Sequence, residues 1–169
     1  MRYNKIRKMD ISNGPGVRVS IFVQGCTFNC KECFNPETHD FNSGKLFTQA
    51  DRANLMDLCN KPNIKGLSIL GGEPLHQNNI KCVADICKTF KHIYPYKTIW
   101  IWTGFKIENL LARTVIDIVN ELFNYIDVLV DGQFEIDKKD ITLKYCGSSN
   151  QRVIDINNSN ANNIVLYKD

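Results

Sequence analysis

The stretch VRVSIFVQGCTFNCKECFN, residues 17–35, decides the expected fold of this chain. Its first seven residues are β-branched or aromatic for the most part, and Gln-Gly follows them, which is typical of a buried strand that turns into a loop. In α/β proteins, ligands commonly bind at the carboxyl end of such a strand. The loop after this strand contains three cysteines at C-x3-C-x2-C spacing: Cys26, Cys30 and Cys33.

The number of cysteines in the loop indicates the kind of centre. A [4Fe–4S] cluster needs four ligands, so three cysteines leave one iron atom open to bind another molecule. Structural zinc sites usually have four protein ligands, often in two separated pairs. The loop therefore favours a reactive cluster. Two alternatives stay open, namely a zinc site completed by His39 or a distant cysteine, and three buried cysteines without a metal.

Length and composition indicate one globular domain, residues 1–169, large enough to bury roughly 70% of its unfolded surface. The net charge of +3 is too small to indicate nucleic-acid binding, and the basic N-terminus is expected to be solvated. The first ten residues do not resemble a signal peptide, and no apolar segment approaches the ~20 residues that span a bilayer. Seven cysteines, an odd number, argue against a disulfide framework and favour reduced thiols in the cytoplasm.

Predicted strands and helices alternate along the chain. The predicted strands are 17–23, 66–70, 98–102 and 127–130, with further candidates at 142–145, 152–156 and 164–167. The predicted helices are 47–59, capped by Thr48, then 77–92, and 107–125 with Val115 on its apolar face. Strands separated by helices indicate right-handed βαβ units, and eight such units would need ~250 residues. We therefore expect an α/β fold whose parallel sheet forms a partial, open barrel.

Each strand of the predicted parallel sheet is followed by residues suited to binding. Gly71-Gly72-Glu73, Thr103-Gly104 and Asp131-Gly132 all come directly after predicted strands, as the cysteine loop does. The carboxyl ends of parallel strands share one edge, so these motifs should meet in one pocket. Paired glycines let the backbone approach a ligand closely, and a carboxylate can bind a ribose hydroxyl or a cation. Asp-Gly is also common turn chemistry, so a purely structural role for Asp131 stays open.

The motifs together resemble the radical S-adenosylmethionine (radical SAM) enzymes and, within them, the activating proteins of anaerobic (class III) ribonucleoside-triphosphate reductases. The resemblance covers nearly the whole chain, through segments 13–16, 26–37, 71–75, 102–104, 127–134 and 147–152. It implies a partial barrel of the radical SAM type. It also implies that the three cysteines of the loop hold a [4Fe–4S] cluster whose open iron binds S-adenosylmethionine (SAM).

The resemblance further implies which residues contact SAM: Glu32, Cys33, Phe34, Gly71, Gly72, Glu73, Thr103 and Asp131. Three positions depart from the related patterns. Glu32 stands where many radical SAM loops have an aromatic residue, and Gln133 stands where related activating enzymes have a lysine. Cys146 stands where a basic residue is often found. No role is therefore assigned to Gln133 or Cys146.

The activity implied by the resemblance is that of an oxidoreductase that activates a glycyl-radical enzyme. An electron donor such as flavodoxin would reduce the cluster, SAM would be cleaved, and the 5′-deoxyadenosyl radical would take a hydrogen from a glycine loop. That loop would belong to the large subunit of the anaerobic reductase, and no side chain of this chain would act as acid or base. The alternatives are activation of another glycyl-radical enzyme, such as pyruvate formate-lyase, and a non-catalytic zinc-binding interaction module.

Overall fold

A computed structural model describes residues 1–112, 116–160 and 162–168. The strands are β1 (Arg2–Asp10), β2 (Val17–Val23), β3 (Lys45–Leu46), β4 (Ile64–Gly71), β5 (Thr98–Trp102), β6 (Val128–Asp131) and β7 (Arg152–Asp155). The α-helices are α1 (Gln49–Cys59), α2 (Ile80–Ile93), α3 (Ile107–Leu111) and α4 (Ile116–Phe123). No helix in these residues is long and apolar enough to cross a bilayer.

The strands form one mixed sheet in the order β3-β1-β2-β4-β5-β6-β7. Its centre is parallel, because β2, β4, β5 and β6 pair in the same direction. Antiparallel strands flank this centre, with β1 against β2 and β7 against β6. Within the described residues the sheet stays open, with β3 and β7 at its two edges. The chain is therefore an α/β protein with an unclosed sheet.

Side chains of the central strands alternate between two faces of the sheet, as the period of a β-strand requires. One face carries the main core, where residues such as Ile21, Ile69 and Ile101 pack with side chains of the helices. The opposite face, called here the second face, carries a smaller cluster built on Trp100, Val128 and Val130. In the part of the chain that the structure describes, the helices pack on the first cluster, whereas loop residues such as Tyr145 and Cys146 pack on the second.

A buried arginine organises the second face. Arg18 is fully buried, and its Nε donates to Ser68 Oγ at 2.7 Å. Its two terminal nitrogens donate to Thr98 Oγ1, Thr98 O and Leu67 O, each at 2.9 Å. The guanidinium carbon lies 5.7 Å from the ring centroid of Trp100, in cation–π contact. Burial lowers the pKa of Arg18 to about 10, yet this guanidinium connects strands β2, β4 and β5.

The neighbouring glycine makes room for this arginine. A Cβ on Gly66 would lie 2.0 Å from Thr98 O and 2.8 Å from Arg18 Nη2. Both separations are far below van der Waals contact, so any side chain at Gly66 would displace the guanidinium or strand β5.

Most of the predicted elements are confirmed. The four central strands and β7 lie where the hydrophobic pattern placed them, and α1 and α2 match two of the predicted helices. Thr48 caps α1 through a capping box with Asp51. The third predicted helix, 107–125, corresponds to α3 and α4, and Val115 lies outside the described residues.

Two predicted strands are wrong. Residues 142–145 form turns and bends, because the carboxylate of Asp140 accepts hydrogen bonds from the backbone nitrogen of Thr142 at 2.9 Å and from its hydroxyl at 2.6 Å. Such local side-chain bonds compete with strand pairing. Residues 164–167 make only an isolated bridge, between Ile154 and Leu166.

The basic N-terminus forms strand β1, which was not predicted, while Arg7 and Lys8 are exposed, as expected for a solvated edge. Lys5 Nζ and Arg7 Cζ lie 4.9 and 4.7 Å from the ring centroid of Phe22. Long basic side chains can cover an apolar ring with their stems while their charges stay near water. Because β1 is polar in composition, the hydrophobic pattern did not predict this strand, which pairs with β2.

Replacing the buried arginine should destabilise the fold. We expect Arg18→Met to lower the free energy of unfolding by about 2–4 kcal/mol, because it leaves buried hydroxyl and carbonyl groups without their donor. Urea denaturation followed by circular dichroism measures the change. Lys81→Met, which removes a charge from an exposed position, should leave the unfolding midpoint where it is. A stable Arg18→Met variant would show that the buried guanidinium does not hold the three strands.

Candidate active site

A cavity of about 450 Å³ lies at the carboxyl ends of the parallel strands. Each central strand contributes residues to its lining. These are Cys26, Cys30 and Cys33 after β2, Gly71, Gly72 and Glu73 at the end of β4, Thr103 and Gly104 after β5, and Gly132 after β6. The predicted convergence of these motifs is therefore confirmed, and the volume is in the range of small-molecule and cofactor sites.

Backbone hydrogen bonds fix the start of the cysteine loop. Gly25 N donates to Thr38 O at 2.8 Å, and Cys26 N donates to His39 O at 3.0 Å. Within the loop, Asn29 and Glu32 have φ angles of 49° and 55°, in the left-handed region. These turns let a short segment reverse direction between its cysteines.

The three thiols of the loop are half-buried. Burial raises the pKa of Cys26 to about 11 and also raises that of Cys33, while backbone N–H groups of the loop oppose the increase. A metal centre binds thiolates, so loading this site would release protons from at least these two thiols.

The chemistry of these donors fits a cluster. Within the described ranges, no three His, Cys, Asp or Glu side chains are placed to share one metal ion. A [4Fe–4S] cluster spreads its thiolates over different iron atoms, so it requires thiols around one cavity and not around one point. The three cysteines meet that requirement, because all of them line the same cavity.

The glycine pair after β4 is explained by packing against the cysteine loop. A Cβ on Gly72 would lie 2.6 Å from Gly25 O, and Gly71 has a φ of 108° that favours glycine. Gly72 N donates to Val23 O at 2.9 Å. These glycines therefore let the ends of β2 and β4 touch, and their contact with SAM stays a prediction.

Glu73 is buried, and its carboxylate is directed at protein groups. It accepts hydrogen bonds from Leu75 N at 2.8 Å, Thr103 Oγ1 at 2.7 Å and Gly104 N at 2.8 Å. Its backbone carbonyl accepts from Asn79 Nδ2 at 3.0 Å. The carboxylate therefore joins the loop after β4 to the loop after β5, so it shapes the cavity wall by positioning Thr103 and Gly104.

Glu32 and Asp131 are the two predicted site residues that do not line the cavity in the described structure. Asp131 is buried, accepts from Ile107 N at 2.9 Å and pairs with Arg152. Arg152 also binds Glu108, which holds the pKa of the Glu108 carboxyl at about 2. Asp131 thus caps α3 and anchors β7. Contact of SAM with Glu32 or Asp131 stays a prediction.

Phe34 lines the cavity mouth and is 58% exposed. Its ring centroid lies 4.9 Å from that of Phe134. A Cβ on Gly147 would lie 2.7 Å from Phe34 Cε2, so residues 133–151 pass directly over the end of the cysteine loop.

His39, named above only as a possible zinc ligand, lines the cavity, and so do several residues to which no role was assigned: Phe28, Trp102, Phe134, Tyr145, Cys146 and Gln151. Trp102 could have been found, because it has the same strand parity as Trp100 and stands beside Thr103. The lining residues on loops had no such periodic sequence pattern. Gln151, for example, reaches the site because its side-chain oxygen accepts from Gly147 N at 2.8 Å and its amide nitrogen donates to Gly132 O at 2.8 Å.

The family model for a 4Fe-4S single cluster domain matches residues 12–154, which defines the class of protein. The anaerobic ribonucleoside-triphosphate reductase-activating protein of Escherichia coli K12 is 40% identical over 157 residues, covering 90% of this chain and 97% of that protein. The proteins of the same name from Pasteurella multocida and phage T4 are 39% and 36% identical, covering 95% and 93% of their own lengths and 89% and 90% of this chain. This chain belongs to the family of anaerobic ribonucleoside-triphosphate reductase-activating proteins.

The buried carboxylate of Glu73 gives the first prediction for this site. We expect Glu73→Gln to lower the free energy of unfolding by about 1–2 kcal/mol, because an amide offers one acceptor oxygen where two carboxylate oxygens are now used. Urea denaturation measures the loss, with Glu121→Gln on the exposed side of α4 as the control. If the two variants unfold at the same urea concentration, the Glu73 carboxylate does not hold the two loops together.

Proposed function

We propose that this chain is a radical SAM activase of the anaerobic ribonucleoside-triphosphate reductase. Cys26, Cys30 and Cys33 would hold a [4Fe–4S] cluster, with SAM bound beside it. The observation that carries the proposal is that three half-buried thiols and the ends of four parallel strands line one cavity. Because the relatives are named as activating proteins of the anaerobic reductase, we propose that reductase as the substrate. When bound, the cluster supplies one-electron reduction of the SAM sulfonium, the chemistry by which a hydrogen is removed from a glycine of the reductase.

The chain itself would supply the cysteine ligands, orient SAM and exclude water from the cavity. The thiols lose their protons on loading, because burial keeps the free thiols of Cys26 and Cys33 protonated at neutral pH. Gly71, Gly72 and Thr103 line the cavity, and in this proposal they orient the methionine part of SAM. Phe34, with its exposed ring at the mouth, is placed to cover the adenine.

Glu73 and Asp131 would act as positioning residues. Glu73 keeps the loop after β5 against the loop after β4, and Asp131 fixes α3 and β7 next to Gly132. Their carboxylates are already bonded to protein donors, so we assign them no direct proton transfer.

A polypeptide substrate suits the mouth of the cavity. Phe34 and Leu143 line the cavity and are 58% and 36% exposed, so apolar side chains stand at its opening. Exposed apolar groups around a site favour contact with another protein. We propose that the glycine loop of the reductase large subunit enters here, and that a donor such as flavodoxin supplies the electron. In this proposal, residues 1–169 form one radical SAM domain of the partial-barrel type. Its seven free cysteines would be kept reduced in the cytoplasm.

Iron analysis tests the proposed ligands. We expect anaerobically reconstituted protein to contain about four iron and four sulfide per chain, and we expect Cys26→Ser, Cys30→Ser and Cys33→Ser each to lose most of both. Cys82→Ser is the matched control, because Cys82 is also half-buried but lies outside the cavity lining. One zinc per chain without iron would instead support the zinc-binding interaction module.

Electron paramagnetic resonance tests the substrate. Reduced protein, SAM and the anaerobic ribonucleotide reductase should give a glycyl-radical doublet, and the three cysteine variants should give none. Pyruvate formate-lyase serves as the comparison substrate in the same assay. A doublet with pyruvate formate-lyase alone would overturn the proposed substrate while leaving the class of reaction intact.

A further inference from the structure

The net positive charge of this chain is concentrated at its first strand. Residues 1–13 contain one acidic side chain, on Asp10, and four basic side chains, on Arg2, Lys5, Arg7 and Lys8. This segment alone accounts for the net charge of +3, because the other residues contain equal numbers of basic and acidic side chains. The carboxylate of Asp10 is buried, whereas Arg7 and Lys8 are exposed. Strand β1 therefore presents positive charge to the solvent.

The exposed part of β1 and the residue after it form a surface of mixed character. This surface, called here the β1 surface, consists of Lys5, Arg7, Lys8, Met9 and Ile11. Met9 is 70% exposed and Ile11 is 78% exposed. In the described residues, β3 pairs only with the first two residues of β1, so the outer edge of residues 4–10 is open. Basic side chains on such an edge hinder the addition of another strand, so a partner would contact side chains and not the backbone.

The β1 surface is connected to the cysteine loop. Lys5 Nζ donates to Glu37 Oε1 at 3.1 Å, and Glu37 comes four residues after Cys33. Burial raises the pKa of Cys33, and the charge of Glu37 adds to the increase. Arg7 Cζ lies 4.7 Å from the ring centroid of Phe22, and both residues line the cavity that contains the three cysteines. A molecule bound on the β1 surface would therefore lie beside the candidate cluster site.

We propose that the β1 surface is the docking site of the electron donor, and that this donor is an acidic one-electron redox protein. This inference rests on the proposed cysteine-ligated cluster. One electron leaves the donor, which is oxidised, and enters the cluster, which is reduced, and no bond is formed or broken. Complexes between redox proteins are commonly small and weak, and opposite charges bring the partners together and orient them. Exposed Met9 and Ile11 supply the apolar contact that such an encounter also uses.

The position of the β1 surface favours the donor over the reductase as its occupant. The glycine loop of the reductase has to enter the cavity, and Phe34 and Leu143 give the opening an apolar rim. The donor only has to approach the cysteine loop, because an electron passes between groups that are not in contact. Lys8, Met9 and Ile11 lie outside the cavity lining in the described structure. The two partners are thus assigned to surfaces built from different segments of the chain.

Stopped-flow measurement of cluster reduction tests the docking site. The reconstituted full-length chain is mixed anaerobically with a reduced flavodoxin of acidic isoelectric point, and the loss of cluster absorbance gives a second-order rate constant. We expect Lys8→Glu to lower this rate constant about fivefold at low ionic strength, because an attractive charge becomes a repulsive one. The difference should shrink to less than about twofold at about 0.5 M salt, where exposed charges are screened.

Two controls separate docking from other effects of the substitution. Lys81→Glu makes the same change of charge at an exposed position of α2, and it should be reduced at the wild-type rate. Photoreduced 5-deazaflavin, a small uncharged reductant, should reduce wild-type and Lys8→Glu clusters equally fast.

Two further measurements do not depend on electron transfer or on folding of a variant. Isothermal titration calorimetry of the reconstituted chain with oxidised flavodoxin should give a Kd about fivefold higher for Lys8→Glu than for wild type. The rate constant of the wild-type protein with reduced flavodoxin should fall at least about fivefold between low ionic strength and about 0.5 M salt.

The outcomes distinguish this inference from the proposed function. Equal rate constants for Lys8→Glu and wild type, or a wild-type rate constant that salt does not change, would overturn the docking site alone. An equal loss in Lys81→Glu would overturn it too, since only the total charge would then matter. An unchanged rate of reduction with a weaker complex between Lys8→Glu and the reductase would assign the β1 surface to the reductase instead. Wild-type protein that binds no iron would remove the proposed function and this inference with it.

Discussion

The contact between the ends of β2 and β4 is the constraint on which the candidate site depends. Gly72 approaches the backbone of Gly25 so closely that a Cβ would lie 2.6 Å from its carbonyl oxygen, and Glu73 N donates to that same oxygen at 2.8 Å. The Glu73 carboxylate then extends the connection to Thr103 and Gly104 after β5. One short segment therefore sets the distance between the cysteine loop and two other walls of the cavity. A cluster and a bound cofactor need such fixed spacing, since a positioning error of an ångström can cost orders of magnitude in rate.

The central strands could be predicted from the sequence because their signal is local. Residues 17–23 and 98–102 are short runs of β-branched and aromatic residues that end at polar or glycine residues, and each is a strand. Strand β1 could not be predicted in the same way, because it is stabilised by pairing with β2 and by cations over Phe22 and not by its own hydrophobicity. At 142–145 a strand was predicted where there is none. Asp140 forms a local turn there through its side chain, and β-propensity does not take such hydrogen bonds into account.

The site could be predicted as a set of positions, but the direction of its side chains could not. Topology alone places the residues after parallel strands at one edge, which explains why the cysteines, Gly71 and Thr103 meet. Whether a carboxylate points into the cavity depends on donors far away in sequence. Glu73 is turned toward Thr103, thirty residues later, and Asp131 is turned toward Arg152. A sequence shows which groups are near an edge but not which partners they choose, so these hydrogen bonds could not be predicted, and the SAM contacts of both residues stay predictions.

The electrostatics of the cavity agree with a negatively charged occupant. A cluster held by three thiolates brings negative charge into a half-buried space, and burying charge is costly unless donors surround it. The carboxylates of Glu73 and Asp131, next to the strand ends, accept hydrogen bonds from protein donors, although the charge of Glu73 still helps to raise the pKa of Cys26. Arg7 and His39 also line this space. The groups that donate to the thiols are backbone N–H groups of the loop, and they lower the pKa of Cys26 and Cys33 against the effect of burial. That distribution suits a centre that must accept an electron, because each added negative charge is met by groups that are already in place.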